Sequence, residues 1–205
     1  MRIIAGQNRG LRLAEIGQGD HAAHLRPTTD RVRETLFNIL RNWVDFQDLR
    51  VLDLFAGTGA LGLEALSRGA QHVTFVENGR VGQKLIADNI ARVRAQDRCK
   101  LITQDATKMP PGAPCDLVFL DPPYGKSLGH QALRSAWAQG WITAEAWIVF
   151  EEASAMTPEG FVLRDSRKFG GTTMTFLQPI QEAVASEPGE GEGLPFVSGQ
   201  ISLRD

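Results

Sequence analysis

Apolar positions follow two rhythms along this chain. Between residues 50 and 150, short apolar runs alternate with segments whose apolar residues return every third or fourth position, the periods of buried strands and amphipathic helices. Val51-Leu52-Asp53-Leu54-Phe55 reads as a central strand, and residues 60–67 as the helix after it, stopped at Gly69. A strand over 72–77 follows, then a helical stripe of Val81, Leu85, Ala87, Ile90 and Val93. Strands around 101–102 and 117–120, a helix over 127–138 and a strand over 147–150 continue the series. Strands buried on both faces need helices to cover them, so the pattern predicts an α/β fold with a doubly wound, mostly parallel sheet.

The flanks differ. Residues 161–166 and 173–177 are extended segments whose connector, 167–172, is too short for a crossover helix, which predicts a C-terminal antiparallel hairpin. Residues 2–13 predict a small hairpin about Gly6-Gln7-Asn8-Arg9-Gly10. A helix then carries Val32, Leu36, Ile39, Leu40 and Trp43 on one face, with Thr28 or Thr29 as its cap and Asp30 at its positive end. Three regions result: an N-terminal hairpin and helix extension over 1–45, the α/β domain over 46–178, and a Glu/Gly-rich tail over 179–205.

Composition narrows the classes. With 205 residues, 42% of them hydrophobic and 22% charged, the chain suits one packed domain with small extensions. Cys99 and Cys115 have no paired spacing and the histidines stand singly, so no metal site is expected. The short apolar runs and the polar start predict a cytoplasmic protein with no membrane association. The net charge of −2 looks wrong for a binder of polyanions, but the charge is uneven. Arg2, Arg9 and Arg12 stand in an opening free of acids, and Arg80, Lys84, Arg92, Arg94, Arg98 and Lys100 cluster against Asp88 and Asp97. These runs, with Arg31 and Arg33, are candidate contacts for nucleic acid, a solvated surface being the alternative.

Two loops carry the candidate chemistry. In Asp53-Leu54-Phe55-Ala56-Gly57-Thr58-Gly59 a strand meets a helix through glycines that let a ligand approach the backbone closely. The acid at its start repels a pyrophosphate and favours a sulfonium amino acid, pointing to S-adenosyl-L-methionine. Phe55, Ala56, Gly57 and Gly59 line that loop; Glu77, at the next strand end, suits both ribose hydroxyls, and Asp105, after the third, suits the adenine amine. In Asp121-Pro122-Pro123-Tyr124 the prolines restrict the backbone. Asp121 and the Pro122 carbonyl offer two acceptors for the two protons of an exocyclic amine, and Tyr124 can stack on its base.

Together these motifs resemble a class I methyltransferase of the amino type. More narrowly, Met1-Arg2-Ile3-Ile4-Ala5-Gly6, the run Arg26-Pro27-Thr28-Thr29-Asp30-Arg31-Val32-Arg33-Glu34-Thr35-Leu36-Phe37-Asn38-Ile39-Leu40, and residues 51–70 resemble the bacterial RsmD family, which methylates guanine N2 in 16S ribosomal RNA of the small subunit. The resemblance spans residues 1 to about 178 and implies a seven-stranded sheet, an N-terminal RNA-engaging extension, S-adenosylhomocysteine as second product, and a 30S assembly particle as substrate for a monomeric enzyme. It places Asp53, Gly57 and Gly59 on the methionine side, Glu77 at the ribose, Asp105 near adenine, and Asp121 with Tyr124 at the target. Phe169 stands where the family pattern has a tyrosine, and the tail carries no family role. The rival readings are a DNA adenine-N6 methyltransferase, a protein-glutamine methyltransferase, and a noncatalytic RNA-binding assembly factor.

Overall fold

A computed structural model describes residues 1–15, 29–123 and 127–181. Tyr124, the Arg26-Pro27-Thr28 segment and the tail beyond residue 181 lie outside the described residues. After helix α1 (Asp30–Leu40), strands and helices alternate: β1 (Arg50–Leu54), α2 (Ala60–Ser67), β2 (His72–Val76), α3 (Arg80–Val93), β3 (Cys99–Ile102), β4 (Cys115–Leu120), α4 (Leu128–Ala138) and β5 (Ile142–Glu152). Two further strands, β6 (Phe161–Phe169) and β7 (Thr172–Pro179), close the described part of the chain.

These form one seven-stranded sheet in the order β3-β2-β1-β4-β5-β7-β6. β1 to β5 are parallel, and β7 lies antiparallel between β5 and β6. The order reverses between β1 and β4, because α2 and α3 carry the chain outward on one side before it returns to the centre. Such a reversal opens a crevice at the carboxyl ends of the strands. One core cluster joins Leu36 and Phe37 of α1, Leu63 of α2 and Ile86 of α3 to Phe75, Phe119, Val149 and Phe176 of the sheet. On the opposite face, Ala132 and Leu133 of α4 pack on Leu54, Val118, Ile148 and Phe150.

Several boundaries differ from the sequence expectation, each for a physical reason. α1 ends at Leu40, so Trp43 is not on its face; it stacks on Trp147, ring centroids 4.9 Å apart at 10°, and meets Phe176 edge-on. Thr29 is the cap, its hydroxyl accepting from the Val32 N–H at 3.4 Å. β5 is longer than its apolar run, because its first half is half-exposed and its last two residues are acidic. β6 absorbs Arg167 and Lys168 because an edge strand tolerates charge, leaving Gly170 and Gly171 alone as the turn. The opening segment forms the short hairpin expected, with an antiparallel bridge between Arg2 and Arg12 and the Ile3, Gly10 and Leu13 N–H groups donating to the Leu11, Ile3 and Met1 carbonyls at 3.0, 2.9 and 3.2 Å. What orders it is packing on α2. Ile3 and Leu13 enter the core, the Ile4 and Ala5 N–H groups donate to the fully buried Glu64 at 2.7 and 3.0 Å, and the Gln7 N–H donates to the Ser67 carbonyl at 2.7 Å.

Candidate active site

The site grows from β1. Asp53 is inside the strand and 3% exposed, with Oδ2 accepting the Gly62 N–H of α2 at 2.9 Å. Burial pushes its carboxyl up to about 8; the Gly62 bond opposes that rise and the Glu77 charge adds to it. Gly62 is needed there for a second reason: a Cβ at that position would stand 2.5 Å from the Phe75 ring and 2.7 Å from Val73. Beyond β1 the chain turns through positive φ at Phe55 (59°), Gly57 (56°) and Gly59 (75°), which brings the backbone back to start α2. A non-glycine residue pays for such a conformation, about 1–3 kcal/mol, so Phe55 is held by its surroundings.

The loop is anchored from β2 and α3. The Ala56 N–H donates to the Val76 carbonyl at 3.1 Å. Glu77, one residue past β2, accepts the Gly57 N–H through Oε2 at 2.9 Å and the Gly79 N–H through Oε1 at 2.7 Å. Each carboxylate oxygen has a second lone pair, so Glu77 keeps acceptor capacity while fixing the loop. Gly82 of α3 lets this happen, since a Cβ there would meet the Glu77 side chain at 2.8 Å and the Gly57 carbonyl at 2.9 Å. Asp105 lies after β3; its Oδ1 accepts from the Thr107 N–H and hydroxyl at 2.9 and 2.8 Å. The backbone bond from Thr107 holds its carboxyl below the usual range.

Asp121 follows β4, the direct neighbour of β1. Asp53 pairs in register with Phe119 and Leu54 with Leu120, so the 53–59 loop and Asp121-Pro122 leave adjacent strands at the same end of the sheet. Burial, then the Glu151, Asp53 and Glu152 charges, push the Asp121 carboxyl well above the ordinary carboxylate range. Pro122 is buried, and Gly129 of α4 packs against it: a Cβ on Gly129 would lie 2.3 Å from Phe150 and 3.0 Å from Pro122.

The candidate RNA arginines divide. Arg2, Arg9, Arg12 and Arg31 are exposed, with Arg2 ion-paired to Asp30 at 3.5 Å. Arg33 departs from the expectation. It is fully buried, and its guanidinium donates to the Arg2 carbonyl at 2.5 Å and to Asp30 at 3.0 Å, so it holds the opening segment against α1 instead of facing solvent.

Sequence reasoning missed Glu64, Asn89 and Glu151. Asn89 donates to the carbonyls of Thr58, in the glycine loop, and Ala14, at 3.0 and 3.3 Å, and accepts the Ala14 N–H at 2.6 Å. It therefore links the opening segment to the loop. A polar residue on the apolar stripe of a helix was the available signal for both Glu64 and Asn89. A cavity of about 450 Å³ lined by Arg41, Trp43, Asp45 and Arg68 lies at the opposite, amino end of the strands, and another of about 280 Å³ runs between α4 and residues 158–161. Neither touches the converging carboxylates, and the chemistry follows those groups rather than cavity size.

A strand slotted antiparallel between β5 and β6 of an otherwise parallel, doubly wound sheet distinguishes class I methyltransferases from other nucleotide-binding folds, and this molecule has that architecture. Comparison with known proteins narrows the class. Residues 1–178 match the family model described as Conserved hypothetical protein 95. Ribosomal RNA small subunit methyltransferase D of Escherichia coli (strain K12) is 40% identical over 153 residues, 74% of either chain. Its namesake from Haemophilus influenzae is 36% identical over 178 residues, 83% of this chain and 89% of that one. The solved Escherichia coli yhhF structure superposes with a TM-score of 0.76 at 36% identity, covering 89% of this chain and 99% of that one. The chain belongs to this family, the small-subunit ribosomal RNA methyltransferases D. No helix among the described residues is long and apolar enough to cross a membrane.

Proposed function

We propose that this protein transfers a methyl group from S-adenosyl-L-methionine to the exocyclic N2 of one guanine in small-subunit ribosomal RNA, within a 30S assembly particle. One observation carries the reading: the acid-led glycine loop and the Asp121-Pro122 acceptor pair emerge from adjacent, in-register strands at the reversal point of the sheet. A methyl donor above one loop then faces an amine held by the other.

The residues present fit the cofactor. Asp53, Glu77 and Asp105 form a set of carboxylate acceptors suited to a cationic amino acid, ribose hydroxyls and an adenine amine in turn, while the positive-φ turns at Phe55, Gly57 and Gly59 expose backbone beside Ala56. When bound, S-adenosyl-L-methionine supplies an electrophilic methyl on a cationic sulfur. Asp53 holds the positive end, and the same cation favours its ionised form. Asp121 and the Pro122 carbonyl accept the two N–H bonds of the target amine, turn its lone pair out of conjugation, and stabilise the charge that develops on nitrogen. Tyr124, by its position in the motif, supplies a face for the extruded base. Arg2, Arg9, Arg12 and Arg31 present charge to phosphate from the ordered opening segment and α1. The division into a 1–45 extension, a 46–178 catalytic region and a tail belongs to this reading, with the extension packed into the catalytic core through Ile3 and Leu13.

Incubation with methyl-labelled S-adenosyl-L-methionine and unmodified 30S particles, naked ribosomal RNA or DNA, followed by digestion to nucleosides, tests the reading. Label should appear in N2-methylguanosine from the particle. Label in N6-methyladenosine, or in DNA, would favour the adenine rival, and no transfer to any of the three would favour the noncatalytic one.

A further inference from the structure

β5 does not stop where its apolar run ends. It continues through Glu151 and Glu152, at the carboxyl end of the strand beside β4. Leu120 pairs with Phe150 in the parallel register, so Asp121 and Glu151 are the next step on neighbouring strands, about 5 Å apart across the sheet. Side chains alternate between faces along a strand. Phe119 and Val149, two residues earlier on each strand, belong to the core beneath α1, α2 and α3, and continuing the alternation puts Asp121 and Glu151 on that same side. Glu152 takes the other side and turns back on its own backbone, accepting the Ala153 N–H at 2.9 Å. Electrostatics agree with the geometry, because Glu151 is the leading charge acting on Asp121.

The two acceptors at Asp121 and Pro122 already match the two protons of any exocyclic amine. A second half-buried carboxylate beside them adds acceptor capacity at the same edge of the base, which only a base with a further donor there can use. Adenine and cytosine cannot provide one, since the ring nitrogen beside their amine on the pairing edge is a bare acceptor. Guanine alone carries a ring N–H there, at N1, next to its N2 amine. We propose that Glu151 selects guanine by accepting its N1–H while Asp121 and the Pro122 carbonyl hold its N2 amine. Glu151 thus determines specificity. The assignment rests on the guanine-N2 reading above and supplies what the Asp-Pro-Pro-Tyr loop lacks, a reason for that base.

The test uses 2-aminopurine, which keeps the N2 amine but has no proton on N1. The target guanosine is first mapped by label in wild-type reactions, then replaced by 2-aminopurine riboside in a reconstituted particle. A site built to bond an N–H rejects an analogue lacking it strongly, so wild type should prefer guanine by at least about 100-fold in kcat/KM. In Glu151→Gln the amide can turn to donate to a bare N1, so the preference should fall to within about tenfold, through slower guanine transfer and faster 2-aminopurine transfer together. Glu151→Ala should lose the preference through slower guanine transfer alone. Calorimetry with S-adenosylhomocysteine reports whether either variant keeps its cofactor pocket. Wild type that methylates both bases equally overturns the proposal, as does a folded Glu151→Gln that keeps the full preference. A wild type that labels no guanine in any RNA would instead overturn the underlying reading.

Discussion

Replacing Asp53 by asparagine should strengthen the ligand-free fold while weakening the cofactor site. The folded carboxyl sits at about 8 against an ordinary value of 3.8, chiefly because β1 and α2 bury it. Between those two values the folded chain holds a proton that the unfolded chain has released, so stability falls as pH rises through that window and levels off above about 8. The slope is about 1.4 kcal/mol per pH unit, which amounts to about 4 kcal/mol at pH 7, a large part of the total for an ordinary domain. Asparagine copies the neutral carboxyl, since its carbonyl can still accept the Gly62 N–H. Urea unfolding from pH 4 to 8.5 should therefore give similar stabilities near pH 4 and a gap in favour of Asp53→Asn that widens toward pH 8. Parallel stability curves for the two proteins would refute the reasoning. Under the proposed function the penalty in wild type has a use, since an ionised carboxylate attracts a sulfonium. Wild-type preference for S-adenosyl-L-methionine over S-adenosylhomocysteine should rise through pH 8 and stay flat in the variant.

Other consequences follow from single residues. Glu77→Ala removes the acceptor that fixes the Gly57 and Gly79 N–H groups and should weaken S-adenosyl-L-methionine binding at least about tenfold by calorimetry, the range of lost charge-assisted bonds; unchanged affinity would remove Glu77 from the ribose assignment. Changing Arg2, Arg9 and Arg12 together to glutamine should flatten the log–log salt dependence of RNA binding by about two to three, and an unchanged slope would mean they do not touch phosphate. Gly62→Ala forces a Cβ against Phe75 and Val73 and should cost about 1–3 kcal/mol in thermal unfolding, whereas a melting temperature equal to wild type would show that the two side chains yield freely.

The sheet was legible because its central strands are buried on both faces and so appear as apolar runs: Leu117 to Leu120 and Trp147 to Phe150 unbroken, and Val51 to Leu54 broken only by Asp53. α2 was bounded without error over residues 60–67, with Gly69 just past its end. Legibility failed where burial is one-sided or polar. The charges of β6 disguise an edge strand as a connector, and the acids that end β5 look like loop residues. Asp53, Glu77 and Asp121 could be marked as strand-end carboxylates from pattern alone, but what each contacts in the folded chain could not. Glu77 proves to brace the glycine loop, a bond between residues twenty apart. Arg33 illustrates the same limit from the other side. In sequence it is one more arginine in a basic motif, whereas in the fold it is buried and binds the Arg2 carbonyl, because the opening segment packs across α1 and α2.

The central claim is that Asp121 acts on the amine and not on the cofactor. Single-turnover methyl transfer by Asp121→Ala, measured alongside calorimetric S-adenosyl-L-methionine binding, tests it most directly. Transfer should fall by at least about 100-fold, as expected when a group that stabilises developing charge is removed, with cofactor affinity within about twofold of wild type. Near-normal transfer by a variant that binds cofactor normally would contradict the account.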